Sequence, residues 1–436
     1  MAARYFIFSC LVLGAFMSAK SAHATNIQRV VSPGGIEAWL VEQHNVPMIA
    51  VRVGFKRGAA YDPAGKDGLV NLMASTMDEG AGDLDSQAFQ RRLEELTMSL
   101  SFSAGRDTYT ASMKTLTRNR DQAFEMLRLA MTEARFDPEP VERVRQQLIA
   151  GLKREQQDPE HMAYRAWFKS AFGSHVYARN RKGSIEGLNA VTPEDLKSFA
   201  RRLMGRDLLR IAVVGDIDAK TLGALLDKTF AGLPEKSSLG EIADAHVEAK
   251  AVTDRIEKDI PQSVIVLGVD GLRREDPDFI PAYVMNYILG GGGFSSRLTE
   301  EVREKRGLTY SVYSFLLPMK HAGVFMASAS TKTSTVDEAI KIIRAEIARM
   351  AEKGVTEKEL ADAKTYLTGS YPLRFDSNTK IAGELIGIQL EQLGIDYITT
   401  RNGVIDAVTP EDIQRVARRI LKPENLRITV VGKDQG

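Results

Sequence analysis

Apolar and polar positions along this chain follow the same order twice. Residues 48–55 form an apolar run of strand length, and residues 263–269 form another. Each leads through an Asp-Pro turn, Asp62-Pro63 or Asp276-Pro277, into an apolar stretch of helical type. Two alternating β segments follow in each half, 99–103 with 108–113 and then 309–315 with 324–330. Helical periodicity then takes over. Val336, Ile340, Ile343, Ile347 and Met350 fall on one face of a helix that Thr335 is placed to cap, and 118–134 is its counterpart in the first half.

The closing part of each half is a recognisable repeat. Residues 190–215 (AVTPEDLKSFARRLMGRDLLRIAVVG) and 407–432 (AVTPEDIQRVARRILKPENLRITVVG) share 15 of 26 positions at a constant offset of 217. In each copy a threonine, Thr192 or Thr409, caps a helix. Proline follows in the first turn, and acids follow at the positive end of the helix dipole. A strand-type run, 211–214 or 428–431, then ends at Gly. Residues 233–258 are polar and lack periodicity, and they read as a linker. The fold class expected is α+β. Two tandem homologous domains, 25–232 and 259–436, arise by internal duplication, and each is a mostly antiparallel sheet with helices packed on one face.

Composition changes little until cysteine and histidine are counted. With Lys+Arg at 58 and Asp+Glu at 57, the chain has no general field for nucleic acid or an anionic membrane. The short run Arg179-Asn180-Arg181-Lys182 reads as surface charge. The single cysteine, Cys10, excludes an intrachain disulfide, a four-cysteine zinc site and an iron–sulfur cluster. Arg4, the apolar run 5–17 and Ala22-His23-Ala24 predict a cleaved signal peptide over 1–24, which implies export to the periplasm. No other segment is long and apolar enough to span a bilayer, so no stable membrane insertion is expected after cleavage. His44, His161, His175, His246 and His321 then remain, and each reads as a surface or loop residue. No two lie within four residues of each other, so no helix presents the histidine pair of a zinc site.

Several local features accompany the duplication. The first half has Gly68-Leu69-Val70 opening a helix, Gly80 closing it, and a stretch from Phe136-Asp137-Pro138 to Asp158-Pro159. The second has Gly290 to Gly293, then Phe294-Ser295-Ser296-Arg297-Leu298, then Arg303 seven residues before Tyr310. In order and spacing these features resemble the pitrilysin/insulinase family of zinc peptidases, to which the mitochondrial processing peptidase belongs. The resemblance extends over essentially all of the chain after residue 24.

Active members of that family carry H-x-x-E-H, two zinc-binding histidines around the glutamate that works on the metal-bound water. Here that frame falls on Asn71, Ala74 and Ser75, and Gly151 falls at the more distant glutamate position. No residue of that set is a good zinc ligand, so this chain is expected to bind no metal. Asp78-Glu79 reads as a solvated pair near a helix end.

The resemblance implies that Arg303 and Tyr310 reach substrate. Taken alone, Arg303 is one charge of a solvated helix end and Tyr310 a packed strand residue. Gly291, Gly292 and Gly293 read as a flexible loop that touches substrate, with Arg297 as a buttress of the loop or of a domain contact. Ser295 and Ser296 lack the His–Asp context of a nucleophile. The reading is a non-catalytic, substrate-binding subunit. Its expected partner is a homologous chain that carries H-x-x-E-H and the zinc, and its substrate is a peptide or unfolded polypeptide. A catalytically inert scaffold is the alternative.

Overall fold

The threonine caps expected in the repeat form as reciprocal boxes. Asp195 N–H donates to the Thr192 hydroxyl at 3.2 Å, and Thr192 N–H donates to the Asp195 carboxylate at 2.9 Å. Asp412 and Thr409 do the same, both bonds measuring 3.1 Å. Thr335 departs from expectation: its hydroxyl donates to the Lys332 carbonyl at 3.0 Å and caps nothing. The computed structural model describes residues 26–433, and the expected signal segment with Cys10 lies outside them.

The first half opens with β1 (Gln28–Val31), β2 (Glu37–Glu42), β3 (Met48–Phe55), α1 (Leu69–Ala74) and α2 (Ser86–Glu95). The hairpin β4 (Ser99–Ala104) and β5 (Tyr109–Leu116) follows. Then come α3 (Arg120–Thr132), α4 (Pro138–Glu155), α5 (Pro159–Phe172), α6 (Ile185–Ala190) and α7 (Pro193–Leu203). β6 (Leu209–Gly215) and α8 (Ala219–Phe230) close the half. The second half runs β7 (Val252–Glu257), β8 (Gln262–Asp270), α9 (Phe279–Asn286), β9 (Thr309–Pro318) and β10 (Gly323–Lys332). It ends with α10 (Val336–Lys353), α11 (Glu357–Gly369), α12 (Asn378–Leu390), α13 (Tyr397–Asp406), α14 (Pro410–Ile420) and β11 (Arg427–Gly432).

Two sheets result, ordered β1-β2-β6-β3-β5-β4 and β7-β11-β8-β10-β9. The duplication is visible strand by strand. β2 runs parallel to β6 as β7 runs parallel to β11, and the remaining pairs are antiparallel. The stretch 233–258 expected as linker therefore ends in a strand. β7 alternates half-buried and exposed residues, so it carried no apolar run to announce it.

Each half's own helices cover one face of its sheet with an apolar core. The opposite face is closed by a helix from the other half. On the first sheet, Ile381, Ala382, Leu385 and Ile386 of α12 pack against Trp39, Val41, Ala50, Ala212 and Val214. On the second, Ala163, Trp167 and Phe168 of α5 pack against Val264, Val266, Val324 and Met326. Two glycines at matching places permit this approach. Gly54 of β3 pairs with Arg210, and Gly268 of β8 pairs with Arg427, the counterpart of Arg210 in the repeat. A Cβ on Gly54 would lie 3.0 Å from Leu390 Cδ1, and one on Gly268 2.7 Å from Trp167 Cζ2.

Candidate functional site

The zinc-motif frame sits on α1, a helix of under two turns. The Asp62 carboxylate fixes its start, accepting from Gly68 N–H at 2.6 Å and Val70 N–H at 2.9 Å. Burial pushes that carboxyl up to about 7 even though the two backbone donors pull it down. Asn71 and Ser75 are half-buried and their side chains make no hydrogen bond among the described residues, while Ala74 is buried. α1 packs against α4, which carries Gly151. An amide, a hydroxyl and two positions without donors do not fit Zn²⁺, which takes imidazole, thiolate or carboxylate ligands. Among the described residues no cluster of three His, Cys, Asp or Glu side chains is arranged to hold a metal.

Two neighbouring expectations need correction. Glu79 is not solvated: Arg143 pairs with its carboxylate at 2.6 Å, and the Ser86 hydroxyl donates to it at 2.5 Å. Burial pushes Asp78 up to about 6. His321 is buried rather than at the surface, with Nδ1 3.2 Å from Asp244.

The second half presents an ordered arginine–aromatic group. Arg303 lies on a π-helical turn, Thr299–Glu304, and a second such turn, Tyr287–Gly291, precedes the glycine loop. The Arg303 guanidinium lies over two rings, 4.7 Å from the Phe294 centroid and 5.0 Å from that of Tyr310. Tyr310 is not a packed strand residue; it is 80 % exposed. The cause is a β-bulge. Ser311 pairs with Ser330 and Thr309 with Thr331, which leaves Tyr310 unpaired and turned outward. Phe294, 74 % exposed, was passed over in the sequence. Its signal was an aromatic residue inside a Gly/Ser loop, where packing does not require one.

The loop is held from below. Ser296 is buried, and its hydroxyl donates to the Gly293 carbonyl at 2.8 Å. Gly293 has φ 59°, which only glycine adopts cheaply. Arg297 is the buttress expected of it. Its fork reaches both Glu359 oxygens, at 2.6 and 2.8 Å, and donates to the Gly354 carbonyl at 2.9 Å. Burial raises the Glu359 carboxyl, but Arg297 and the Thr356 cap outweigh it and hold it at about 2, below its ordinary 4.5. The stabilisation is therefore present above pH 4.5 and is lost as pH falls toward 2. Urea denaturation across that window should show wild type losing an increment of stability that Arg297→Ala never has. Parallel pH profiles would exclude the pair as its source.

A cleft of about 1750 Å³ lies between the halves, with both contributing to its walls. The structure thus brings together Phe294, Arg303 and Tyr310 around one core, and Asn71, Ala74 and Ser75 beside the helix of Gly151 around the other.

Comparisons with known proteins follow the same division. Residues 38–181 match "Insulinase (Peptidase family M16)", and residues 190–367 match "Peptidase M16 inactive domain". A Helicobacter pylori protein named "Non-peptidase homolog YmxG" is 26% identical over 365 residues, 84% of either chain. The crystal structure of a peptidase M16 inactive domain from Pseudomonas fluorescens superposes with a TM-score of 0.88 at 29% identity, covering 94% of this chain and 98% of that one. The periplasmic protease PqqL from Escherichia coli shares the fold, with a TM-score of 0.80 at 16% identity over 100% of this chain and 49% of its own.

Proposed function

We propose a role that starts from one fact: this chain belongs to peptidase family M16, the insulinases. Within the family it is a non-catalytic subunit that binds peptide or unfolded polypeptide for a zinc-bearing partner. One contrast carries the reading. Asn71, Ala74, Ser75 and Gly151 stand at the expected metal and base positions, while Tyr310 is exposed with the half-buried Arg303 over its ring. A relative named as a non-peptidase homologue supports it.

In the complex, zinc on the partner's H-x-x-E-H helix supplies the activated water. This chain contributes positioning and charge. The Tyr310 hydroxyl donates a hydrogen bond to the scissile carbonyl as its oxygen becomes an oxyanion. Arg303, oriented by Phe294, offers its planar fork to substrate carbonyls. Gly291, Gly292 and Gly293 leave room for the peptide backbone, and β4 or β9, the sheet-edge strands, can pair with an extended chain.

The two halves are assigned to 25–232 and to the expected 259–436 extended back to 252 by β7, and the place of action to the periplasm, reached through the signal peptide 1–24. No helix among the described residues is long and apolar enough to cross a membrane.

The test is co-expression with a homologous chain that carries H-x-x-E-H, followed by peptide-cleavage assays and metal analysis. Cleavage is expected from the mixture and from neither chain alone, with zinc only on the partner. Stoichiometric zinc and cleavage by this chain alone would refute the assignment. A mixture that forms no complex and cleaves nothing would leave the inert scaffold.

A further inference from the structure

The run Arg179-Asn180-Arg181-Lys182 lies in the wall of the cleft between the halves, not on an outer surface. α5 adds Arg165 and Lys169 to the same cleft. The side chains of Arg165, Lys169 and Arg181 make no hydrogen bond or ion pair among the described residues. Arg106 lies 4.6 Å from the Phe168 ring centroid and 5.4 Å from that of Tyr177, and it donates to the carbonyls of Tyr177 and Arg179 at 2.9 and 3.5 Å. Burial holds its guanidinium below the ordinary value; Asp107 and Tyr177 pull it back up, and Arg181 adds repulsion.

The acids nearby are engaged. Glu155 pairs with Lys182, and Glu160 accepts from the Tyr313 hydroxyl at 3.2 Å. Asp107 accepts from the Tyr177 hydroxyl at 2.8 Å and from Lys320 N–H at 3.1 Å. Among the described residues, this side of the cleft thus holds four basic side chains without an ion-pair partner, Arg106, Arg165, Lys169 and Arg181, against the two acids Asp107 and Glu160, while the cleft-lining Glu241, Asp244 and Glu275 pair with Arg57 and Arg273. That arrangement raises the energy of the empty cleft and favours a bound anion.

We propose that this wall binds an acidic peptide segment, with its carboxylates on Arg106, Arg165, Lys169 and Arg181. Two observations select a peptide. The cleft, at about 1750 Å³, exceeds the roughly 300–1,000 Å³ of small-molecule pockets. Stacked bases need open aromatic faces, but Phe168 has Arg106 over its ring and stacks on Phe172 at 5.7 Å. This goes beyond the partner-subunit role, because the cleft lies within one chain and needs no second subunit.

The test uses the full chain and a fluorescein-labelled twelve-residue peptide of alternating Glu and Ala, followed by anisotropy. Binding that weakens with added salt is expected, with none for the alternating Lys and Ala peptide. The exposed pair Arg165→Glu with Lys169→Glu should weaken binding about tenfold or more, while Lys220→Glu, outside the cleft, should not. Unchanged melting curves would show that the variants fold. Equal binding of both peptides, binding of neither, an equal loss with Lys220→Glu, or less than about a twofold loss with the α5 pair would overturn the proposal. So would displacement by a single-stranded oligonucleotide at lower concentration than by unlabelled acidic peptide.

Discussion

Replacing Trp167 with alanine is expected to destabilise the protein by about 3–5 kcal/mol, the range for deleting a large buried aromatic side chain. Trp167 is fully buried on a helix of the first half, yet its neighbours belong to the second sheet. Its indole N–H donates to the Arg427 carbonyl at 3.1 Å, 260 residues away. Its ring covers Gly268, where no side chain would fit. Removing it opens a cavity at the join between halves and takes a side-chain donor away from the Arg427 carbonyl. Trp167→Phe keeps the aromatic bulk but not the donor, so it should lose less. Urea denaturation followed by circular dichroism checks both. A loss below about 1 kcal/mol for the alanine variant would mean that the site collapses freely and that α5 does not tie the halves together.

In the reconstituted peptidase, Tyr310→Phe is expected to lower kcat about a hundredfold, close to 2.7 kcal/mol, with KM little changed. In the proposed role the hydroxyl bonds the carbonyl oxygen more strongly as charge develops there, so its loss should fall on the transition state rather than on peptide binding. Folding should not suffer, because the side chain projects from a bulge into solvent. Arg303→Ala should raise KM as well, since it removes donors to ground-state carbonyls and releases both Phe294 and Tyr310. Steady-state kinetics on the complex separates the two outcomes. Unchanged cleavage by both variants would make the pair a remnant and favour the scaffold reading.

These effects differ in how far they were legible beforehand. Arg303 and Tyr310 were legible as a spaced pair, but Tyr310 by itself reads as a strand residue facing inward. Tyr310 is the one extra residue of β9 opposite the Ser330–Thr331 step of β10, and that bulge reverses the reading, because strand side chains alternate faces with period two. The basic run beginning at Arg179 was legible as charge but not as part of a cleft wall, because the cleft exists only where the two halves meet. Glu79 is similar: its partner Arg143 lies 64 residues on, in α4.

The sequence by itself determined the duplication, the α+β class and the threonine caps at Thr192 and Thr409. All of these depend on neighbours within a few residues or on comparing one half with the other. Only the tertiary structure decided that α5 and α12 cross to the opposite sheets, that Tyr310 faces outward and that Arg181 shares a cleft with α5. Periodicity marks which face of an element is apolar, but it carries no information about which distant surface will cover that face. Gly54 and Gly268 mark where the crossing helices approach, and their meaning appears only when Leu390 and Trp167 are in place above them.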